Sequence, residues 1–231
     1  MLREECIMTT AIILAAGKSE RLGTGADKAF LSLGNKPVVA WSLLAFERCP
    51  LIDNIILVVR KDQILASKAV AKMFGISKLT KVLPGGNKRP DSVLVGLAAC
   101  DFDTKYVVIH DAARPLVTSE NISEIVKLVK RNAAVTLGRK IVDTVKRVDK
   151  GTVVVATEDR EKLWTVQTPQ AFNIKALKDA YAKLPGDASP TDDCQVMELA
   201  GESVKILENR KPNIKITTIE DFEIASALLK P

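Results

Sequence analysis

The stretch "AIILAAGKSERLG" (residues 11–23) passes from an unbroken apolar run into a glycine-bearing loop, and its centre carries the G-K-S that closes an ATP-binding P-loop. A P-loop requires G-x-x-x-x-G-K-[ST], whose first glycine would fall on Ile12, inside the apolar run. The P-loop reading fails. A dinucleotide fingerprint requires G-x-G-x-x-G and an acidic residue about twenty positions on. Ser19 and Leu22 stand at its second and third glycines, and no carboxylate closes the second strand before Asp62. That reading is weak as well. What remains is a strand followed by Ala15, Ala16 and Gly17, small residues that let backbone approach a ligand and offer N–H groups to phosphate. Arg21 and Lys28 follow in the same loop, and two cations over a bed of amides suit a triphosphate. Spacing alone leaves a second reading open: a tight strand-to-helix turn with solvated basic residues.

Outward from this loop, short β-branched runs alternate with helical patterns: "AIILA", "VVAWSLLAFERC", "NIILVV", a helical stretch near 62–74, "KVLPGG", a helix from Pro90, and "YVVIHDAARP". This is the rhythm of an α/β fold, a mostly parallel, Rossmann-like sheet flanked by helices. Ligands of such sheets sit beyond the carboxyl ends of the strands, so the loops that start at Ala16, Pro84 and His110 are the ones to read.

The second of them, "LPGGNKRPDSVLVGL", again places glycines after a strand, with Gly86, Arg89 and Ser92 near the start of a helix where amides and a hydroxyl can meet a nucleotide. The third ends a strand on Asp111, a natural Mg2+ ligand because that ion binds through one or two carboxylates plus substrate phosphates. The alternative is that Asp111 orders its own loop. His110 is the only histidine. It follows a buried strand without a nucleophile context, which favours a structural role over a catalytic one. One segment breaks the rhythm: "KIVDTVKRVDKGTVVVATE" places two β-prone runs around "DKG", a hairpin with a tight turn that must pack on the parent domain or clasp another subunit. Later helices are expected to start at the N-caps Thr191 and Thr218.

Composition limits the alternatives. A chain of 231 residues with 47% hydrophobic residues can bury a full core as one domain. The net charge of +6 is spread along the chain and only 4% of residues are aromatic, which argues against nucleic acid and suits a small phosphorylated ligand. Cys6, Cys49, Cys100 and Cys194 form no C-x-x-C pair, so reduced thiols in a cytoplasmic protein are expected. The start, "MLREECIMTT", lacks an apolar signal region, no apolar run reaches membrane-spanning length, and the residues before Thr10 read as a frayed leader.

Six segments in order, "LAAGKSERLG…DKAFLSLGNKPV", "GGNKRPDSVLVGL", "VVIHDAARPLVT", "DTVKRV", "LWTVQTPQAF" and "NIKITTIEDFEIASALL", resemble the 2-C-methyl-D-erythritol 4-phosphate cytidylyltransferase family. The resemblance implies a single nucleotidyltransferase domain over residues 1–231, with residues 140–160 as a β-arm subdomain used for homodimerisation. It implies attack of the sugar-alcohol phosphate on the α-phosphorus of CTP, with Mg2+ and release of pyrophosphate. In that scheme Arg21 and Lys28 stabilise the phosphorus centre and the leaving pyrophosphate. Ala15, Ala16, Gly17, Gly86, Arg89, Ser92 and Ala112 hold the nucleotide, and Asp111 holds the metal and contacts the substrate. Thr144, Arg160, Thr168 and Lys215 bind the second substrate, with Arg160 reaching a neighbouring subunit's site. A related family acting on ribitol 5-phosphate usually carries A-G-G and D-S-V-R where this chain has Ala15-Ala16-Gly17 and Asp111-Ala112-Ala113-Arg114. Departures from the pattern are Ser19 for a glycine, Ala29 for a glutamine and Pro212 for an acidic residue; the last puts a second metal carboxylate in doubt.

Overall fold

The computed structural model describes residues 7–17, 27–185, 188 and 190–229. Its first strand, β1 (Met8–Ala15), shows why the opening run is apolar without alternation. Successive side chains leave opposite faces of a strand: Ala11, Ile13 and Ala15 enter one core, Ile12 and Leu14 the other. The chain continues through a short ribbon, β2 (Ser32–Leu33) and β3 (Lys36–Pro37), into α1 (Val38–Glu47), β4 (Asn54–Val59), α2 (Ile64–Met73), β5 (Leu79–Pro84), α3 (Arg89–Ala98) and β6 (Thr104–Asp111). Then come α4 (Ser119–Val129), β7 (Ala134–Lys140), the ribbon β8 (Lys146–Val148) and β9 (Val154–Thr157), and β10 (Trp164–Asn173). The last elements are α5 (Ile174–Ala182), α6 (Asp193–Leu199), β11 (Val204–Glu208) and α7 (Ile219–Leu228).

The main sheet has seven strands in the order β11-β7-β10-β6-β1-β4-β5. Strand β10 runs antiparallel to both neighbours, and the other pairs are parallel. Helices α1, α2 and α4 cover one face through Leu43, Phe46, Ala71, Ile122 and Ile125. Helices α3, α5 and α6 cover the other through Val93, Leu97, Leu177 and Met197. Each fully buried Val, Leu, Ile, Phe or Met among them contributes about 1.5–3 kcal/mol, so the two cores hold the strand ends in fixed register. Ala15 pairs with Val59, Val59 with Pro84, and Leu14 with Asp111. The three loops singled out in the sequence therefore leave the same edge of the sheet side by side.

Three local expectations need correction. The ordered strand starts at Met8, earlier than the predicted leader boundary, because the Asp53 carboxylate accepts the Thr9 N–H at 2.7 Å and extends the ladder. The N-cap of α6 is Asp192 rather than Thr191: Asp192 Oδ1 accepts from Gln195 N at 2.9 Å, while Thr191 N donates to the Gln195 side chain at 2.7 Å. The β8–β9 turn is wider than a tight hairpin turn, because Asp149 Oδ1 accepts from Gly151 N and Val153 N, each at 2.9 Å, and Thr152 sits at φ 61°. The ribbon itself forms as expected. It leaves the sheet between β7 and β10, with Val153, Val154 and Val155 exposed on it. Helix α7 starts after its expected cap, Thr218, whose hydroxyl accepts from Asp221 N at 3.3 Å.

Candidate active site

The loops after β1, β5 and β6 wall a cleft of about 480 Å3, which also takes in Lys28, Lys215 and Thr217. The wall formed by the first and second loops is backbone-rich. A Cβ on Gly85 would lie 2.5 Å from Ala16 Cβ and 2.7 Å from Ser92 Oγ, so the first and second loops can touch only because Gly85 has no side chain. The neighbouring Gly86 donates its N–H to Ser92 Oγ at 3.2 Å, and the Asp91 carboxylate accepts Lys88 N at 2.9 Å, which fixes the loop as it enters α3. Ala112 closes the opposite side by donating its N–H to Leu14 O at 2.9 Å.

Charge is concentrated at the end of β6. Asp111 is buried, yet Arg89 Nε lies 3.3 Å from its Oδ1 and Lys215 Nζ 2.6 Å from its Oδ2. Burial pushes the Asp111 carboxyl up, but Arg89 and Lys215 outweigh it and hold the group well below the usual carboxylate range. Lys215 reaches this point from the segment between β11 and α7, which is stitched to the β6 loop by Ile216 N to Ala113 O at 2.8 Å and Arg114 Nη1 to Asn213 O at 2.7 Å. Lys28 opens a single 3-10 turn, Lys28–Phe30, capped by Asp27, whose Oδ1 accepts from Ala29 N at 3.0 Å.

His110 and Thr168 lie beneath the cleft. Asp111 N donates to Thr168 Oγ1 at 3.0 Å, and that hydroxyl lies 3.1 Å from His110 Nδ1. On the other side of the ring, Nε2 lies 3.2 Å from Arg114 O, which can only accept. The proton is therefore on Nε2, and Nδ1 accepts from Thr168. Desolvation pushes the imidazole down to about 3, so it stays neutral. A histidine that protonates when unfolded but not when folded makes stability fall as pH falls below its unfolded value of about 6.5. With no second histidine in the chain, His110 by itself is expected to remove about 2 kcal/mol of unfolding free energy between pH 7 and pH 5, opposed by Asp27 and Asp193, whose carboxyls burial pushes up. Urea unfolding of the wild type and of His110→Gln at the two pH values checks this: the wild type should lose about 2 kcal/mol more than the variant, and equal losses would mean that the ring is not the group responsible.

The structure thus brings together Ala15, Ala16, Gly17, Lys28, Gly86, Arg89, Ser92, Asp111, Ala112 and Lys215 of the residues expected from sequence. Thr168 is adjacent, its hydroxyl committed to Asp111 N and His110. Thr144 and Arg160 do not line this cleft; both are exposed at the arm, where Arg160 Nη1 donates to Val142 O at 2.6 Å. Arg21 and Ser19 lie outside the described residues. Ala29, in place of a glutamine, is buried under the Lys28 turn, and Pro212 lines a separate groove beside Trp41 and Leu116.

Two residues were missed from sequence. Asp27 puts a second carboxylate on the cleft wall, and its only signal is an acidic residue beside Lys28. Asp193, buried in α6, reaches Arg89 Nη1 at 2.8 Å, and its sequence signal was absorbed into helix capping.

The profile of the 2-C-methyl-D-erythritol 4-phosphate cytidylyltransferase family matches residues 9–231. The chain belongs to this family. The 2-C-methyl-D-erythritol 4-phosphate cytidylyltransferase of Desulforamulus reducens is 43% identical over 225 residues, which is 95% of each chain. That of Alkaliphilus oremlandii is 38% identical over 229 residues, 98% of this chain and 97% of the relative. The crystal structure of 4-diphosphocytidyl-2C-methyl-D-erythritol synthase from Anaerococcus prevotii is similar at a TM-score of 0.87 and 33% identity, covering 97% of each chain. Among the described residues, no helix is long and apolar enough to cross a membrane.

Proposed function

We propose that the chain transfers CMP from CTP to 2-C-methyl-D-erythritol 4-phosphate, forming 4-diphosphocytidyl-2-C-methyl-D-erythritol and pyrophosphate. The carrying observation is the convergence of three strand-end loops with Lys28, Arg89, Asp111 and Lys215 in one cleft of a chain that belongs to the cytidylyltransferase family. An oxygen of the acceptor's phosphate attacks the α-phosphorus of CTP, and the bond from that phosphorus to the β-phosphate bridging oxygen breaks. The chain supplies no nucleophile of its own. Its work is positioning two anions and stabilising the charge that builds at phosphorus and on the departing pyrophosphate.

In this reading Ala15, Ala16, Gly17, Gly86, Arg89, Ser92 and Ala112 hold the nucleotide, and Lys28 with Arg21 stabilises the transition state. Lys215 and, from the arm, Thr144 and Arg160 receive the acceptor phosphate, while Thr168 serves from beneath by holding the Asp111 backbone in place. Arg160 bonds its own arm's base and is absent from its own cleft's lining, which supports a homodimer in which the arm serves the neighbouring site. The domain reading is one nucleotidyltransferase domain with the arm at 140–160. The buried free thiols of Cys49 and Cys194 support a cytoplasmic location.

Magnesium fits the donor set. No group of three acidic, His or Cys side chains forms a protein cage among the described residues, but Mg2+ typically takes one or two carboxylates and completes its shell with phosphates and water. Asp111, kept ionised on the cleft wall, would hold it. Bound there, the ion neutralises triphosphate charge.

Purified protein given CTP, magnesium and 2-C-methyl-D-erythritol 4-phosphate is expected to release pyrophosphate at least about a hundredfold faster than with ribitol 5-phosphate. Equal or faster release with ribitol 5-phosphate would reassign the acceptor, and no release from folded protein with either would refute the transferase reading.

A further inference from the structure

Arg89 sits at the first position of α3, and its guanidinium is held by two carboxylates from different parts of the chain. Nε lies 3.3 Å from Asp111 Oδ1 in the cleft, and Nη1 lies 2.8 Å from Oδ2 of Asp193, which is fully buried. The second contact is a close ion pair without the angle of a hydrogen bond, since Asp193 Oδ2 has no hydrogen-bond partner. The other oxygen of Asp193, Oδ1, accepts from the Tyr181 hydroxyl at 2.6 Å. Next to it, Asp192 caps α6 and accepts from Gln170 Nε2 at 2.7 Å, which ties the start of α6 to β10. Tyr181 belongs to α5, Asp193 to α6, Arg89 to α3 and Asp111 to β6, so one chain of polar contacts crosses from the helical layer to the cleft. The remaining guanidinium nitrogen, Nη2, is buried with no protein acceptor among the described residues, a donor left over in a residue that lines the cleft.

A fully buried carboxylate is costly unless its partner keeps it charged and in place. Replacing such a buried pair by apolar side chains of similar volume is often neutral or stabilising, so burial alone does not require it. Here burial pushes the Asp193 carboxyl up while Arg89 and the Tyr181 hydroxyl pull it down, and the strongest of these opposing pulls comes from a cleft residue. Asp111 meets both Arg89 Nε and Lys215 Nζ, and the charge of Arg89 is the strongest single pull on its carboxyl. Without Asp193, Asp111 would be the one carboxylate left against Arg89 among the described residues.

We infer that Asp193, braced by Tyr181, is a positioning residue for the nucleotide: it fixes Arg89 in the orientation that CTP meets. The inference rests on the proposed cytidylyltransferase reading and extends it to a part of the chain outside the cleft. The test is CTP binding by calorimetry, with magnesium chloride present and no acceptor, alongside thermal melting. Arg89→Gln and Asp193→Asn are each expected to weaken CTP binding about tenfold, and the double variant is expected to be no weaker than Arg89→Gln alone. Tyr181→Phe keeps every charge and is expected to weaken binding about threefold; it carries the test alone if Asp193→Asn does not fold. A structural role alone would lower the melting temperature without moving CTP affinity, and that result, or additive losses in the double variant, would overturn the inference. Unchanged binding in Arg89→Gln would overturn the nucleotide role of Arg89 itself, a failure of the functional reading that this comparison separates from a failure of Asp193.

Discussion

Lys28→Met is expected to lower kcat by about 10²–10³ while the protein stays folded, the loss seen when one preorganised donor to a developing charge is removed. The structure separates the two effects. The turn at Lys28 is held by its neighbours: Asp27 caps Ala29 N, Ala29 is buried, and Val38 N donates to Leu31 O at 3.0 Å. None of these contacts uses the ammonium, and methionine keeps an unbranched stem of similar length. Lys28 lines the cleft, in which the bond being broken leaves negative oxygens on pyrophosphate. An interaction that strengthens as that charge develops appears in kcat rather than in the KM for CTP. Steady-state pyrophosphate release with both substrates varied checks this, with a melting curve to show the fold. Near-normal kcat would remove Lys28 from the transition state, and a rise in KM alone would make it a ground-state contact.

The centre of the fold was legible because buried parallel strands leave an unmistakable pattern. Ile12, Ile55 to Leu57 and Val107 to Ile109 show no alternation, and each lies between two cores. Once three such strands were placed, the rule that ligands sit at their carboxyl ends located Gly17, Gly86 and Asp111 on one cleft. Lys215 was a different case. It lies 104 positions from Asp111 and comes from a segment with no strand or helix of its own, so only the family resemblance placed it. Asp193 was illegible because its sequence context, T-D-D before a helical run, is fully explained by capping, and Asp192 does the capping. The ion pair to Arg89 depends on how α6 docks beside α3, a tertiary fact that no local spacing encodes. The same limit applies to His110: its position after a buried strand argued for a structural role, but its tautomer follows only from Arg114 O on one side and Thr168 on the other.

Mixing Arg160→Ala protein with Lys28→Met protein, each nearly inactive alone, is expected to restore activity to about one quarter of the wild-type value. The figure follows from two-fold symmetry: random exchange makes about half of the dimers mixed, and each mixed dimer has one site with both residues intact and one with neither. The motive is geometric. Arg160 is exposed, its guanidinium spans the base of the arm to Val142 O, and it is not part of the wall of its own cleft, whereas Lys28 is. The arm also exposes Val142, Val153, Val154 and Val155, apolar surface that a two-stranded ribbon does not need for its own pairing and that a neighbouring subunit would cover. If Arg160 instead folded back on its own cleft, every mixed dimer would carry one site lacking Arg160 and one lacking Lys28, and mixing would restore nothing. Subunit exchange must be shown directly, by mass spectrometry of the mixed species. Exchange without recovered activity would place Arg160 at its own site, and a protein that stays monomeric while active would exclude the shared site altogether.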